Sequence, residues 1–95
     1  MAIFMHAELP GVSSAQYNAL NAALQQLPGN PFEGCLSHVA IANGGGMSIY
    51  DLWESRQAMD AFVERMMPVA QGQGLPQPPS QPTVSEVHNY WMPNS

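Results

Sequence analysis

Apolar and polar residues alternate near the start of the chain and predict a first strand over residues 2 to 9. The odd-numbered positions from Ile3 to Leu9 are apolar, whereas Phe4, His6 and Glu8 occupy positions between them. This two-residue period is typical of a half-buried strand whose two faces meet different surroundings. A Pro-Gly pair then ends the strand.

Two later segments repeat their apolar residues every three or four positions and predict helices. Ser13 and Gln16 have the spacing of a capping box at the start of the first helix, and Ser55 is a favourable N-cap for the second. Pro68 is expected to kink or end the second helix, although a further turn over residues 69 to 73 stays open. The predicted buried stripes are Tyr17, Leu20, Leu24 and Leu27 in the first helix, and Met59, Phe62, Val63 and Met66 in the second.

A hairpin lies between the two helices. Residues 35 to 42 and 47 to 54 read as strands, and the Asn-Gly-Gly-Gly sequence between them favours a tight turn. A symmetric closure of this loop places Ala42 opposite Met47 and His38 opposite Asp51. It also places residue 36 opposite residue 53, unless a bulge shifts the register.

The proline-rich residues 72 to 82 predict an irregular crossing loop, residues 83 to 91 a fourth strand, and residues 93 to 95 a tail. The resulting order, βαββαβ, predicts a single α+β domain over residues 1 to 95 with a ferredoxin-like fold. Its antiparallel sheet has strand order 4-1-3-2, and both helices lie on one face. The other face, expected to carry Phe4 and Trp53, would be an exposed apolar patch, so we expect a homodimer that encloses a cavity.

Charge narrows the range of partners. Charged residues make up 9% of the chain, there is no lysine, and Arg56 and Arg65 are the only cationic side chains apart from histidines. Nucleic acid and anionic membranes are therefore not expected as partners.

No leader or membrane-spanning segment is recognisable, which predicts a cytoplasmic protein. The lone Cys35 is interpreted as a small buried apolar group rather than a reactive thiol.

Residues 51 to 62, DLWESRQAMDAF, form a third strand that ends in Trp-Glu-Ser before the second helix. Together with residues 8 to 17 and 87 to 91, this segment resembles the antibiotic biosynthesis monooxygenase type of the dimeric α+β barrel superfamily. The resemblance covers nearly the whole chain and implies a dimeric α+β barrel. It also implies small-molecule chemistry, since the family includes cofactor-independent oxygenases acting on aromatic polyketides, haem-degrading enzymes, isomerases and cyclases.

The haem-degrading type can be compared position by position. It has a tryptophan and an iron-ligating histidine on the second helix, where this chain has Phe62 and Gln71 or Gly72. The second helix contains no histidine, so this resemblance argues against haem breakdown, and we expect no cofactor.

Three histidines on different predicted strands are candidates for acid-base chemistry. His38 and Asp51 should lie side by side, as in a general base whose tautomer is fixed by a carboxylate. The phase of the first strand directs His6 into the expected dimer cavity, where it would donate a hydrogen bond to substrate. In the predicted strand order Asp51 lies between His6 and His38, so we expect the three side chains to share the dimer cavity. The predicted catalytic residues are therefore His38, Asp51 and His6.

The predicted substrate-binding residues are Phe4, Trp53, Ile49 and His88. Simpler interpretations stay open: His38 and Asp51 form only a satisfied polar pair, or the protein is a non-catalytic dimer that binds a small ligand. A metal site made by His6, His38 and Asp51 is a third alternative, but no closely spaced pair of histidines favours it. The leading prediction is a homodimeric, cofactor-independent monooxygenase, isomerase or cyclase that acts on a small apolar molecule, aromatic or polyketide-like, in the barrel cavity of the dimer.

Overall fold

Six elements follow one another in the computed structural model in the predicted order. The structure describes residues 1–77 and 80–93, so the predicted crossing loop and the predicted tail each lie partly outside the described residues. The elements are β1 (Ile3–Pro10), α1 (Ser14–Gln25), β2 (Cys35–Ala42), β3 (Gly46–Trp53), α2 (Arg56–Gly72) and β4 (Thr83–Glu86).

The four strands form one antiparallel sheet with the order β2-β3-β1-β4, which confirms the predicted order read from the opposite edge. β1 and β3 are therefore the two central strands. Met5 lies opposite Asp51 and His6 lies opposite Tyr50 in their ladder. Because side chains alternate along a strand, these neighbouring pairs point to opposite faces of the sheet.

One face of the sheet carries the core and both helices. The odd-numbered apolar residues of β1, together with Met47 and Ile49, pack against the buried residues of the helices, as the sequence pattern predicts. We call this side the helix face and the other side the bare face. The buried members from the helices are Leu20 and Leu24 of α1, and Met59 and Phe62 of α2.

The helix ends follow the predicted caps. The Ser13 hydroxyl accepts a hydrogen bond from the Gln16 amide, and the Gln16 side chain accepts one from the Ser13 amide, which completes the capping box. Ser55 caps α2 by accepting from the amide of Ala58. Pro68 lies inside α2, which continues to Gly72. The alternative with a further turn is thus confirmed.

The hairpin has the predicted register over most of its length. Ala42 pairs with Met47 and His38 pairs with Asp51. The predicted pairing of residue 36 with Trp53 is wrong, because a bulge between Cys35 and Ser37 brings Cys35 opposite Trp53. A bulge adds one residue to one strand, so loop length alone does not locate it.

The turn is held close to the end of β1. Gly44 has a positive φ of 82°, a conformation that glycine adopts without steric cost. A β-carbon at Gly46 would collide with the carbonyl oxygen of Leu9. Glycine is therefore required at position 46, because the backbone of β1 comes too close for a side chain.

The fourth strand is shorter than predicted. β4 pairs with β1 only from Ile3 opposite Glu86 to His6 opposite Thr83, and one further hydrogen bond joins the Val87 amide to the Ala2 carbonyl. The predicted extension of the strand to residue 91 is therefore wrong, because β4 ends at Glu86.

The capping box provides a test of this fold. Replacing Ser13 by Ala leaves an orphan amide at the start of α1 and should lower the free energy of unfolding by about 1 kcal/mol. Ser14→Ala is the matched control, because Ser14 is exposed and caps nothing, and it should change stability by less than about 0.5 kcal/mol. Urea denaturation measures both, and equal effects of the two substitutions would contradict the role of the cap.

Candidate functional site

A cavity of about 130 Å³ lies between the helix face of the sheet and the two helices. Its wall is largely apolar and includes Ile49 of β3, Phe62 and Met66 of α2, and Leu75 of the segment after α2. The polar residues in the wall are Tyr17, Asn21, His38, Asp51, Gln71 and Gln77. The wall thus combines an apolar lining with a small number of polar groups, as ligand sites commonly do.

Asp51 is the most buried polar residue of the site, with 2% of its surface exposed. Its position on the helix face of a central strand removes it from water. Asp51 Oδ1 lies 2.5 Å from His38 Nδ1, and Asp51 Oδ2 accepts a hydrogen bond of 3.3 Å from the indole nitrogen of Trp53. Both carboxylate oxygens therefore have donors, which a buried carboxylate requires.

His38 joins the sheet to the first helix. Its other ring nitrogen, Nε2, lies 2.5 Å from the hydroxyl oxygen of Tyr17, and the planes of the two rings are within 9° of parallel. The side chain of His38 remains 28% exposed because β2 is an edge strand. Tyr17, His38 and Asp51 thus form a continuous hydrogen-bonded chain along the cavity wall.

The direction of these hydrogen bonds follows from the chemistry of the groups. An ionised carboxylate only accepts, so Nδ1 of His38 carries the proton shared with Asp51. In a neutral imidazole the second nitrogen is then an acceptor, and the Tyr17 hydroxyl donates to it. The buried Asp51 thereby selects the tautomer of His38 that has basic character at Nε2.

Burial next to Asp51 changes the acidity of two neighbouring groups. Desolvation, and secondarily the negative charge of Asp51, raises the pKa of the Tyr17 hydroxyl above its usual value. The same two causes, in the same order, raise the pKa of the Cys35 thiol from 9.0 to about 11. Cys35 is only partly buried, but its thiol is kept protonated, which supports the interpretation of this residue as a packing group.

His6 lies on the bare face, apart from His38 and Asp51. Its ring stacks on Tyr50, with centroids 4.6 Å apart, and its Nε2 contacts the carboxylate of Glu8. Hydrogen bonds from Ser48 and then His6 lower the pKa of that carboxyl group. The phase of β1 directs His6 away from the helices, as predicted. The expectation that His38 and Asp51 share the dimer cavity with His6 is wrong, because residues 6 and 51 have opposite phases in the paired strands and the pair lies beneath the helices.

The predicted substrate-binding residues are distributed over different surroundings. Ile49 lines the cavity. Trp53 is fully buried in the core, so its predicted position on the bare face is wrong, whereas Phe4 does lie there with 40% of its surface exposed. His88 is exposed and follows the end of β4. Of the four residues, only Ile49 lines the cavity that contains His38 and Asp51.

Tyr17 is the member of the site that the sequence analysis missed, because it was interpreted only as part of the helix stripe. The sequence did contain an indication of this role. Tyr17 is the one residue of that stripe that combines an apolar ring with a polar tip, and such residues usually find a partner when buried.

The part of the chain that the structure describes contains no cluster of three residues suited to hold a metal ion. Phe62, which stands where the haem-degrading type has a tryptophan, packs with its ring centroid 5.2 Å from that of Trp53.

In the described residues, no helix is both long and apolar enough to cross a membrane.

Solved structures share this architecture. An antibiotic biosynthesis monooxygenase-like protein from Chloroflexus aurantiacus is 18% identical, with a TM-score of 0.60, and the match covers 96% of this chain and 98% of that one. A point mutant of SnoaB, a cofactor-independent oxygenase from Streptomyces nogalater, is 12% identical with a TM-score of 0.58 over 94% of each chain. The ActVA-Orf6 monooxygenase of Streptomyces coelicolor, in complex with nanaomycin D, is 18% identical with a TM-score of 0.52, covering 97% of this chain and 91% of that one.

These matches confirm, at the level of the fold, the resemblance inferred from the sequence. The chain has the α+β ferredoxin-like fold of the antibiotic biosynthesis monooxygenase-like proteins. No family model matches the sequence, and neither does any curated protein.

The raised pKa of Cys35 has a measurable consequence. Below pH 9 the thiolate fraction in the folded chain should be about 100-fold smaller than in the unfolded chain, because the folded thiol holds its proton until about pH 11. Alkylation by iodoacetamide near neutral pH should slow at least in proportion. The chain unfolded in urea is the control, and equal rates in both states would contradict the burial of this thiol.

Proposed function

We propose that the protein is a cofactor-independent oxygenase that acts on a small, largely apolar aromatic molecule in the cavity between the sheet and the helices. The observation that carries this proposal is the His38–Asp51 pair in the wall of that cavity, with its basic nitrogen directed away from the carboxylate. The likeness in fold to a cofactor-independent oxygenase and to a monooxygenase supports the reaction class.

In this proposal His38 is the general base and Asp51 its orienting partner. A base of this kind is suited to remove a proton from a hydroxyl group on the substrate. The resulting anion is richer in electrons and reacts more readily with dioxygen. The electrons that reduce dioxygen come from the substrate, so one oxygen atom enters the product and the other leaves as water.

The remaining residues position the base and shape the cavity. Trp53 holds the second oxygen of Asp51, and Ile49 forms part of the apolar wall. His6, Phe4 and His88 are not part of this proposed site, because none of them lines the cavity. The cavity volume of about 130 Å³ favours a single aromatic ring over the larger polyketide-like molecules that the resemblance suggests.

The proposal is tested with a panel of hydroxylated single-ring aromatics, with oxygen uptake and product mass as the measurements. His38→Ala and Asp51→Asn should each reduce turnover by more than about 100-fold, since the base and its orientation are lost. His88→Ala is the control, because His88 is exposed outside the cavity. Circular dichroism verifies that each variant remains folded.

Two results would count against the proposal. Undiminished turnover in both variants would exclude the pair as the base. Saturable ligand binding without any oxygen uptake or conversion would favour the alternative of a non-catalytic ligand-binding protein.

We further propose that the protein is a cytoplasmic homodimer whose subunits meet through the bare face of the sheet. Phe4 of β1 and Val39 and Ile41 of β2 expose 40%, 46% and 48% of their surface there, on the two sides of β3. A second copy would remove these side chains from water. The low content of charged residues is consistent with a surface that is partly covered.

Sedimentation equilibrium tests the dimer. The native chain should have the mass of two copies, and Val39→Glu should shift the population toward one copy by placing a charge among apolar groups. Gln25→Glu adds the same charge to an exposed position on α1 and should leave the mass unchanged. A native chain with the mass of a single copy would refute the proposed dimer.

A further inference from the structure

Tyr17 lines the cavity beside the His38–Asp51 pair and hydrogen-bonds to the nitrogen of His38 that faces away from Asp51. Both ring nitrogens of His38 are already engaged, Nδ1 by Asp51 and Nε2 by the Tyr17 hydroxyl. Tyr17 also lines the cavity and is partly exposed there. Its hydroxyl oxygen keeps lone pairs that accept a further hydrogen bond while its own proton is donated to His38.

We propose that Tyr17 is a catalytic residue that contacts the reacting hydroxyl of the substrate and relays its proton to His38. This inference rests on the proposed function, since it concerns the same cavity and the same base. It replaces direct contact between substrate and histidine by a three-residue relay, Tyr17–His38–Asp51.

The transfer is balanced without any added reagent. The O–H bond of the substrate breaks as its proton passes to the Tyr17 oxygen, and the proton of Tyr17 passes to Nε2 of His38. The products are a substrate anion and an imidazolium, which the carboxylate of Asp51 stabilises. After transfer the hydrogen bond between Tyr17 and His38 has reversed, so the new hydroxyl proton of Tyr17 points to the substrate anion.

The relay avoids an accumulated tyrosinate. Desolvation and the charge of Asp51 both raise the pKa of the Tyr17 hydroxyl, so a full negative charge on this oxygen is unfavourable. Transfer of one proton in and another out keeps Tyr17 neutral at the start and at the end. The Tyr17 hydroxyl can therefore pass a proton to His38 without itself becoming charged.

The wall of the cavity also defines the charge of the substrate. Among the lining residues that the structure describes, Asp51 is the only carboxylate and there is no lysine or arginine. Arg56 pairs with Asp60, and Arg65 donates to the carbonyl of Pro28. A ligand that brings a carboxylate or phosphate would be buried without a counter-charge, which is costly. The site is therefore suited to an uncharged phenol.

The size of the cavity agrees with a single ring. At about 130 Å³ it is close to apolar protein cavities of roughly 150 Å³ that bind benzene. A hydroxyl on such a ring could meet Tyr17 at the polar wall while the ring contacts the apolar wall. We therefore assign the substrate class as neutral, single-ring phenols.

Para-nitrophenol is a suitable probe, because its anion absorbs visible light and its neutral form does not. At a pH where free para-nitrophenol is mostly neutral, binding to the native protein should increase the absorbance of the anion at least about 10-fold. Tyr17→Phe should abolish this increase while its affinity for nitrobenzene, which has no proton to transfer, changes less than about 3-fold. Nitrobenzene binding thus reports that the variant keeps its cavity.

Two more variants and one more ligand complete the design. His38→Gln keeps Tyr17 but removes the proton acceptor, so it should also abolish the anion signal. Tyr90→Phe removes the hydroxyl of an exposed tyrosine and should leave the signal unchanged. Para-nitrobenzoate, which carries a carboxylate, should bind at least about 10-fold more weakly than nitrobenzene.

The outcomes distinguish a failure of the proposed relay from a failure of the proposed oxygenase function. An anion signal that persists in Tyr17→Phe, or its absence in the native protein with para-nitrophenol bound, would overturn the relay and leave oxygen uptake as an independent test of function. Failure of both probes to bind the native protein would overturn the ligand cavity and with it both proposals. Tight binding of para-nitrobenzoate would overturn the assigned substrate class.

Discussion

The carboxylate of Asp51, withdrawn from water on a central strand, determines the arrangement of the groups around it. A buried carboxylate without partners costs several kcal/mol, so its donors must be held in place. Trp53 and His38 supply them from its own strand and from the edge strand. The orientation of His38 then directs Nε2 to Tyr17, which ties α1 to the sheet. One buried charge thus links the core, the edge strand and the first helix.

The sequence predicted the fold well, because the signals for the fold are local. Strand alternation, the capping box at Ser13 and the glycine turn each depend on a few adjacent residues, and all three occur in the structure. The pairing of His38 with Asp51 was also predicted, since it follows from the length of the turn. Which face this pair occupies was not deduced correctly, and that determined which cavity it serves.

The parts that were wrong depend on contacts between distant segments. β4 ends at Glu86 after pairing with β1, and the register of β2 with β3 shifts between Cys35 and Ser37. Neither has a signal in its own segment. Tyr17 was recognised as a buried residue but not as part of the site, because its partner lies 21 positions away on another element. A polar side-chain atom on an otherwise apolar helix stripe therefore indicates a hydrogen-bond partner on the facing sheet.

The bare face is not uniform, and its polar end has a consequence for any surface that covers it. Glu8 accepts hydrogen bonds from Ser48 and Asn43 and contacts His6, and a lowered pKa keeps it charged. Phe4 lies toward the other end of the same strand and packs near Tyr50. Protein interfaces place apolar groups at a dry centre and charged groups at a wet rim. Along β1 the bare face therefore changes from apolar at Phe4 to charged at Glu8, and a partner that covers Phe4 would leave Glu8 at its solvated margin.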